Sequence, residues 1–187
     1  MKDTNTAYQD IISTCKALFI KKAKDYGVSW RIFRMSSVTD QIYIKAERLR
    51  TLEETQQNLV GDSVEGEYMG IINYSLIALM LLEWQNQPSL NETQVLDTLE
   101  ASYDKHVSKA FQLMQQKNHD YGEAWRKIRM SSITDLILAK LLRLKQIEDN
   151  KGKLVASEGE DANYMDILNY AVFALIRLGE RGVLGGG

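Results

Sequence analysis

Two stretches of the chain carry the same set of cationic and aromatic residues, and those types suit the binding of a phosphorylated compound. Lys22, Asp25, Tyr26, Trp30, Arg31, Arg34, Asp40, Lys45 and Arg48 recur as Lys117, Asp120, Tyr121, Trp125, Arg126, Arg129, Asp135, Lys140 and Arg143. Guanidinium groups bind phosphate oxygens in pairs, and planar aromatics stack on bases. Arg31 and Arg34 lie three apart, close to Tyr26 and Trp30. Ser36-Ser37 are good caps for the next helix, whose N-terminal amides would favour an anion. The competing reading is a structural network of ion pairs and hydrogen bonds repeated in each half, with Trp30 and Tyr26 as core anchors.

Lys45 is the sharpest residue of the set. On a helical wheel Val38, Ile42, Leu49 and Leu52 fall between about 120° and 200° from Asp40, and Lys45 falls near 140°. Lys140 sits in the same way among Ile133, Ile137, Leu144 and Ile147. A lysine in an apolar arc must snorkel, pair with a carboxylate or meet an anionic ligand, because an unpaired buried charge is costly. Arg48 and Arg143 follow at the edge of the arc.

Carboxylates close to such cations raise the question of a metal. Asp166, Asn169, Tyr170 and Phe173 share one side of a late helix, where the first copy has Gly70, Asn73, Tyr74 and Ile77. With Glu67, Glu160 and Asp161, Asp166 forms the candidate ligand set for Mg²⁺, which takes oxygen donors and shares them with substrate phosphates. Acids also favour helix N-termini for electrostatic reasons alone. Asn73 and Asn169 suit either a ligand or a cross-link between helices.

Other chemistries find little support. His106 and His119 align with Ile11 and Lys24, so no histidine is shared by the two copies. Cys15 aligns with Ala110 on an apolar face and reads as core. A single cysteine excludes an internal disulfide and a multi-thiolate zinc site. There is no GxGxxG, phosphate-binding loop or Ser-His-Asp pattern.

The elements that must position these residues follow from an internal duplication. Lys22–Leu49 and Lys117–Leu144 are identical at 16 of 28 positions, at a shift of 95. Downstream the shift becomes 96, matching Tyr68-Met69, Ile71 and Asn73-Tyr74 to Tyr164-Met165, Ile167 and Asn169-Tyr170. Apolar positions drift between the copies while the polar set holds; core packing tolerates volume-conserving exchange. The expected organisation is a first repeat over 1–86, a linker over 87–91 containing Pro88, a second repeat over 92–181 and a disordered Gly-rich tail over 182–187.

Each repeat reads as three helices, over about 6–24, 36–57 and 65–85 in the first copy, by apolar spacing. Gly27 marks the end of the first helix. The third is apolar nearly all round and should be central. The fold expected is all-α, two tandem three-helix repeats packed as a pseudo-two-fold bundle. The duplication would stand in for a homodimer, with further self-association left open.

The chain has 187 residues, 44% hydrophobic and 26% charged, in the range of a globular protein. Its net charge of −2 counts against a broadly basic nucleic-acid binder. The polar N-terminus and the absence of a span of about 20 apolar residues lead to the expectation of a cytoplasmic protein without a membrane partner.

The order DYG, W, KxxRL and then D/GIxNY, present twice, resembles the nucleotide-modification-associated helical domain family of bacteria and phages, in its tandem form. The resemblance covers most of each repeat and implies a nucleotide-related role. A more distant similarity is to the all-α MazG-like nucleotide pyrophosphohydrolases, which hold Mg²⁺ with EExxE and ExxD segments. Glu53-Glu54-Thr55-Gln56-Gln57 lacks the last acid of the first motif. Glu67 to Gly70 keeps only the first acid of the second, and Asn163 to Asp166 only the last. The function expected is nucleotide binding or processing, with Mg²⁺-dependent phosphoanhydride hydrolysis as the implied chemistry. The alternative is a non-enzymatic helical adaptor for a protein partner.

Overall fold

A computed structural model of the chain describes residues 2–85, 91–150 and 159–184. Six α-helices follow one another: α1 (Thr4–Tyr26), α2 (Met35–Thr55), α3 (Val64–Trp84), α4 (Glu92–Tyr121), α5 (Met130–Asp149) and α6 (Glu160–Leu184). Short 3₁₀ turns at Ser29–Ile32 and Ala124–Arg126 precede α2 and α5. Among the described residues there is no strand, and no helix is long and apolar enough to cross a membrane.

The all-α duplication expected from sequence is the architecture observed. Helices α3 and α6 make the most extensive contact, and α2 and α5 pack on them and on each other. Helix α1 lies against α6 as well as α3, and α4 against α3 as well as α6, so the outer helices bridge the repeats. The all-round apolar surface of α3 explains its place: Tyr68, Ile71, Ile72, Leu76 and Met80 are all buried. The two copies share one continuous core that includes Ile42, Leu49, Ile137 and Leu144.

The boundaries differ from expectation in two places. Helices α2 and α5 begin one residue before the serine pairs, at Met35 and Met130. Their cap residues are Arg34 and Arg129, extended in backbone and making no side-chain capping bond. The Arg34 carbonyl already takes the Ser37 amide at 2.9 Å, which draws Ser36 and Ser37 into the first turn. At the other end α6 runs to Leu184, past the expected start of the tail, since no residue before the terminal Gly triplet stops it. Residues 185–187 and most of the linker lie outside the described residues.

The glycine kept in both DYG segments has a backbone reason. Gly27 and Gly122 close α1 and α4 with φ of 64° and 58°, a region costly for residues with a Cβ.

Pairs of hydrogen bonds related by the pseudo-two-fold tie the copies together. Tyr8 donates its hydroxyl to Asn169 Oδ1 at 2.8 Å, and Asn169 Nδ2 donates to the Ala110 carbonyl at 2.9 Å. In the mirror arrangement Tyr103 donates to Asn73 Oδ1 at 3.0 Å, and Asn73 Nδ2 donates to the Cys15 carbonyl at 3.1 Å. Both asparagines thus serve as cross-links between helices. Asn169→Ala would strand the buried Tyr8 hydroxyl and a carbonyl, and is expected to cost about 1–3 kcal/mol. Urea denaturation checks this; an unchanged midpoint would remove the cross-link from the account.

Candidate functional site

Five residues of the duplicated and late-helix set meet in one hollow. Lys22, Tyr26, Trp30, Lys45 and Asn73 line a cleft of about 530 Å³ between α1, the 3₁₀ turn, α2 and α3 of the first repeat. This lies inside the range of small-molecule sites, about 300–1,000 Å³. Its apolar wall comes from Leu18, Phe19, Phe33 and Ile77, and Ile32 and Tyr26 stand at 85% and 74% exposure. Trp30 stacks on Trp84, with ring centroids 5.8 Å apart and planes 13° from parallel.

Helix α3 presents glycine at the floor, and Lys45 lies across it. Gly66 and Gly70, one turn apart, line the cleft. A Cβ on Gly70 would come 2.7 Å from Lys45 Cε, so the lysine side chain lies directly over this glycine. This small-residue pair in an otherwise bulky helix is the signal in the sequence that marks the hollow.

Two cations of the first repeat, Lys45 and Arg48, meet at one buried carboxylate. Glu67, 7% exposed, accepts from Arg48 and, at 3.3 Å, from Lys45. Arg48 also reaches Asn58 Oδ1 at 3.1 Å and the Asp62 carbonyl at 3.3 Å. Lys22 is exposed and makes no ion pair with any described residue.

In the second repeat the same positions close on themselves. Asp166, 3% exposed, replaces Gly70 and bonds both Lys117 and Lys140, the latter at 2.7 Å. Asn163 replaces Glu67. Phe173 replaces Ile77 and stacks on Trp125 with centroids 4.2 Å apart and planes 2° from parallel. Arg126 caps the other face of the group, its guanidinium 4.4 Å from the Trp125 ring, and bonds Glu123, Glu180 and Thr4. The acid has moved one helical turn between copies while the lysine has stayed in place.

The remaining candidates lie apart from the cleft. Asp25, Arg34, Asp120, Tyr121, Arg129, Asp135 and Arg143 are exposed, and Arg31 is half-buried outside the lining. Asp40 pairs with Lys145 at 2.8 Å, across the repeats. Glu160 and Asp161 border a second hollow of about 420 Å³ with Lys105, Lys109 and His106. There buried His106 bonds Glu83 at 2.8 Å, and burial holds its pKa below the usual value.

The four candidate metal ligands are therefore dispersed. Among the described residues no three or more Asp, Glu, His or Cys side chains are grouped to hold a metal ion. Glu67 and Asp166 each face two cations, which a divalent ion would have to displace against their repulsion. This donor set does not fit Mg²⁺.

Glu53, in the segment compared above with the first MazG-like motif, and Glu148, its counterpart in the second repeat, join the repeats. Thr39 donates to Glu148 and shares a 2.7 Å bond with Tyr164; Thr134 donates to Glu53 at 2.7 Å and meets Tyr68 at 3.2 Å. Each triad joins the two repeats. Burial raises both glutamates above the ordinary 4.5. A raised native pKa means that the folded state holds these protons more tightly than the unfolded one. Their contribution is therefore present below about 4.5 and lost as pH rises through the native values. Glu53→Gln with Glu148→Gln is expected to be more stable than wild type at pH 7, with the difference vanishing at pH 4. Denaturant titrations at the two pH values check it; a difference independent of pH would contradict it.

No curated protein and no solved structure matches the chain. A family model, described as nucleotide modification associated domain 1, matches residues 22–82 and 117–178. These segments begin at Lys22 and Lys117 and take in both lysine-bearing helices, both glycine turns and most of each central helix. The chain thus belongs to the nucleotide modification associated domain 1 family, in two tandem copies.

Proposed function

We propose that the first-repeat cleft binds a nucleotide, or another small molecule carrying a phosphate. The observation that carries this reading is the meeting of Lys22, Lys45, Tyr26 and Trp30 around a hollow whose floor is Gly70. Lys22 and Lys45 border the cleft, and Lys22 makes no ion pair with any described residue, which leaves it available to an anion. Trp30 and Tyr26 offer aromatic surface for a base. The membership in a nucleotide-modification family agrees with this ligand class.

The test is thermal denaturation with nucleoside 5′-mono-, di- and triphosphates and the parent nucleosides, with and without Mg²⁺. At least one nucleotide should raise the melting temperature, since ligand at 100 times Kd adds about 2.7 kcal/mol. Lys22→Ala, at an exposed position without an ion pair, should keep the unliganded melting temperature and weaken binding about tenfold or more. No shift with any nucleotide at millimolar concentration rejects the reading. The exposed Ile32 and Tyr26 then favour the adaptor reading, in which a hydrophobic segment of a protein partner occupies the same cleft.

A further inference from the structure

We infer that the ligand's oxyanion sits over Gly70 between Lys22 and Lys45, in the place that the Asp166 carboxylate takes between Lys117 and Lys140. The second repeat is then a self-occupied copy of the site, and the chain binds one ligand, in the first repeat. This rests on the cleft being the ligand site, and it names the atom group recognised there and the residues that grip it.

The two copies inside one molecule correspond position by position. Lys22 corresponds to Lys117, Lys45 to Lys140 and Gly70 to Asp166. In the second repeat both lysines converge on one buried carboxylate. In the first repeat the carboxylate is absent, Lys22 has no ion-pair partner among the described residues, and Lys22, Lys45 and Gly70 border the same hollow. Lys45 leans over the bare glycine toward Glu67, at 3.3 Å against the 2.7 Å of its counterpart on Asp166. Glu67 is itself bound by Arg48. An ammonium group has three donors, and this single long contact leaves Lys45 able to meet an incoming oxyanion. A phosphate offers the same terminal oxygens as a carboxylate with more charge, so two lysines arranged to hold Asp166 are arranged to hold a phosphate. Trp125 stacked on Phe173 fills the second repeat where Ile77 leaves room in the first.

Exchange of the two positions tests it, with inorganic phosphate and the best nucleotide of the panel as probes. Equilibrium dialysis should give one phosphate site in wild type and none in Gly70→Asp. In the exchanged variant, Gly70→Asp with Asp166→Gly, one site should return, now abolished by Lys117→Gln and indifferent to Lys22→Gln. Circular dichroism establishes that each variant is folded. Should the exchanged variant fail to fold, Lys22→Gln and Gly70→Asp alone decide, each expected to weaken phosphate at least tenfold. Phosphate binding that survives both single changes overturns the inference. Acetate as a third probe separates a carboxylate ligand from a phosphate one; acetate bound more tightly than phosphate also overturns it. If wild type binds phosphate but no nucleotide, the oxyanion site stands and the nucleotide reading fails. If nucleotide binds regardless of Gly70→Asp, the nucleotide reading stands and this placement fails.

Discussion

Asp166→Ala is expected to lower the unfolding free energy by roughly 3–5 kcal/mol, the usual cost of breaking a buried ion pair from one side. The carboxylate is 3% exposed and serves two lysines at once. Their situations differ. The Lys117 side chain is 40% exposed and can turn to water, whereas the Lys140 side chain is 15% exposed on the apolar arc of α5 and cannot follow as easily. Most of the loss therefore comes from the Lys140 side, where the more buried of the two ion pairs is broken. Adding Lys140→Met to Asp166→Ala should recover a large part of it, because a well-packed apolar chain substitutes for a buried ion pair at little cost. For a chain of this length the single variant corresponds to a fall in melting temperature on the order of 10 °C. Denaturant titration of the two variants measures the coupling directly. A loss below about 1 kcal/mol would mean that both ammonium groups find water, and the ion pair would then be a surface one. The matching change in the first repeat, Glu67→Ala, leaves two side chains that are 26% and 22% exposed, next to an open cleft, and should cost less.

The sequence made the scaffold legible because each signal for it is local or repeated. Two copies of KxxRL and two NY helices specify two equivalent units, and the all-round apolar face of 65–85 requires a central position for that helix. The seating of Lys45 and Lys140 among apolar neighbours left snorkelling, a carboxylate or an anionic ligand as the outcomes. Which partner was not legible, because the acids stand on different turns of α3 and α6 and the choice depends on how far each lysine reaches over the facing residue. Gly70 decides it in one repeat and Asp166 in the other. A cross-link was one of two roles legible for Asn73 and Asn169, but not with whom: their partners Tyr103 and Tyr8 belong to the other repeat, and only the packing of α1 on α6 and α4 on α3 brings them together. The same holds for Glu53 and Glu148, whose threonine partners lie across the pseudo-two-fold.

The two copies of one tryptophan should give opposite phenotypes. Trp125 is 7% exposed, lies flat on Phe173 and carries the Arg126 guanidinium on its ring. Trp125→Ala empties this space and is expected to cost about 3–5 kcal/mol, with little effect on ligand affinity once the protein is folded. Its buried indole N–H meets no acceptor among the described residues, so Trp125→Phe gives up only packing and should cost clearly less. Trp30 is half-buried, borders the cleft and stacks on Trp84 rather than on the floor helix's Ile77. Trp30→Ala should cost less stability than its counterpart and weaken nucleotide binding by about 1–3 kcal/mol, the worth of one base stacked on an aromatic ring. Denaturation and nucleotide titration on the same two variants separate the effects. Equal stability losses with unchanged affinity would make Trp30 a core anchor like Trp125 and confine recognition to the lysines. A larger affinity loss at Trp30 than at Trp125 is required if the duplication has divided its labour, one copy holding the fold and the other holding the ligand.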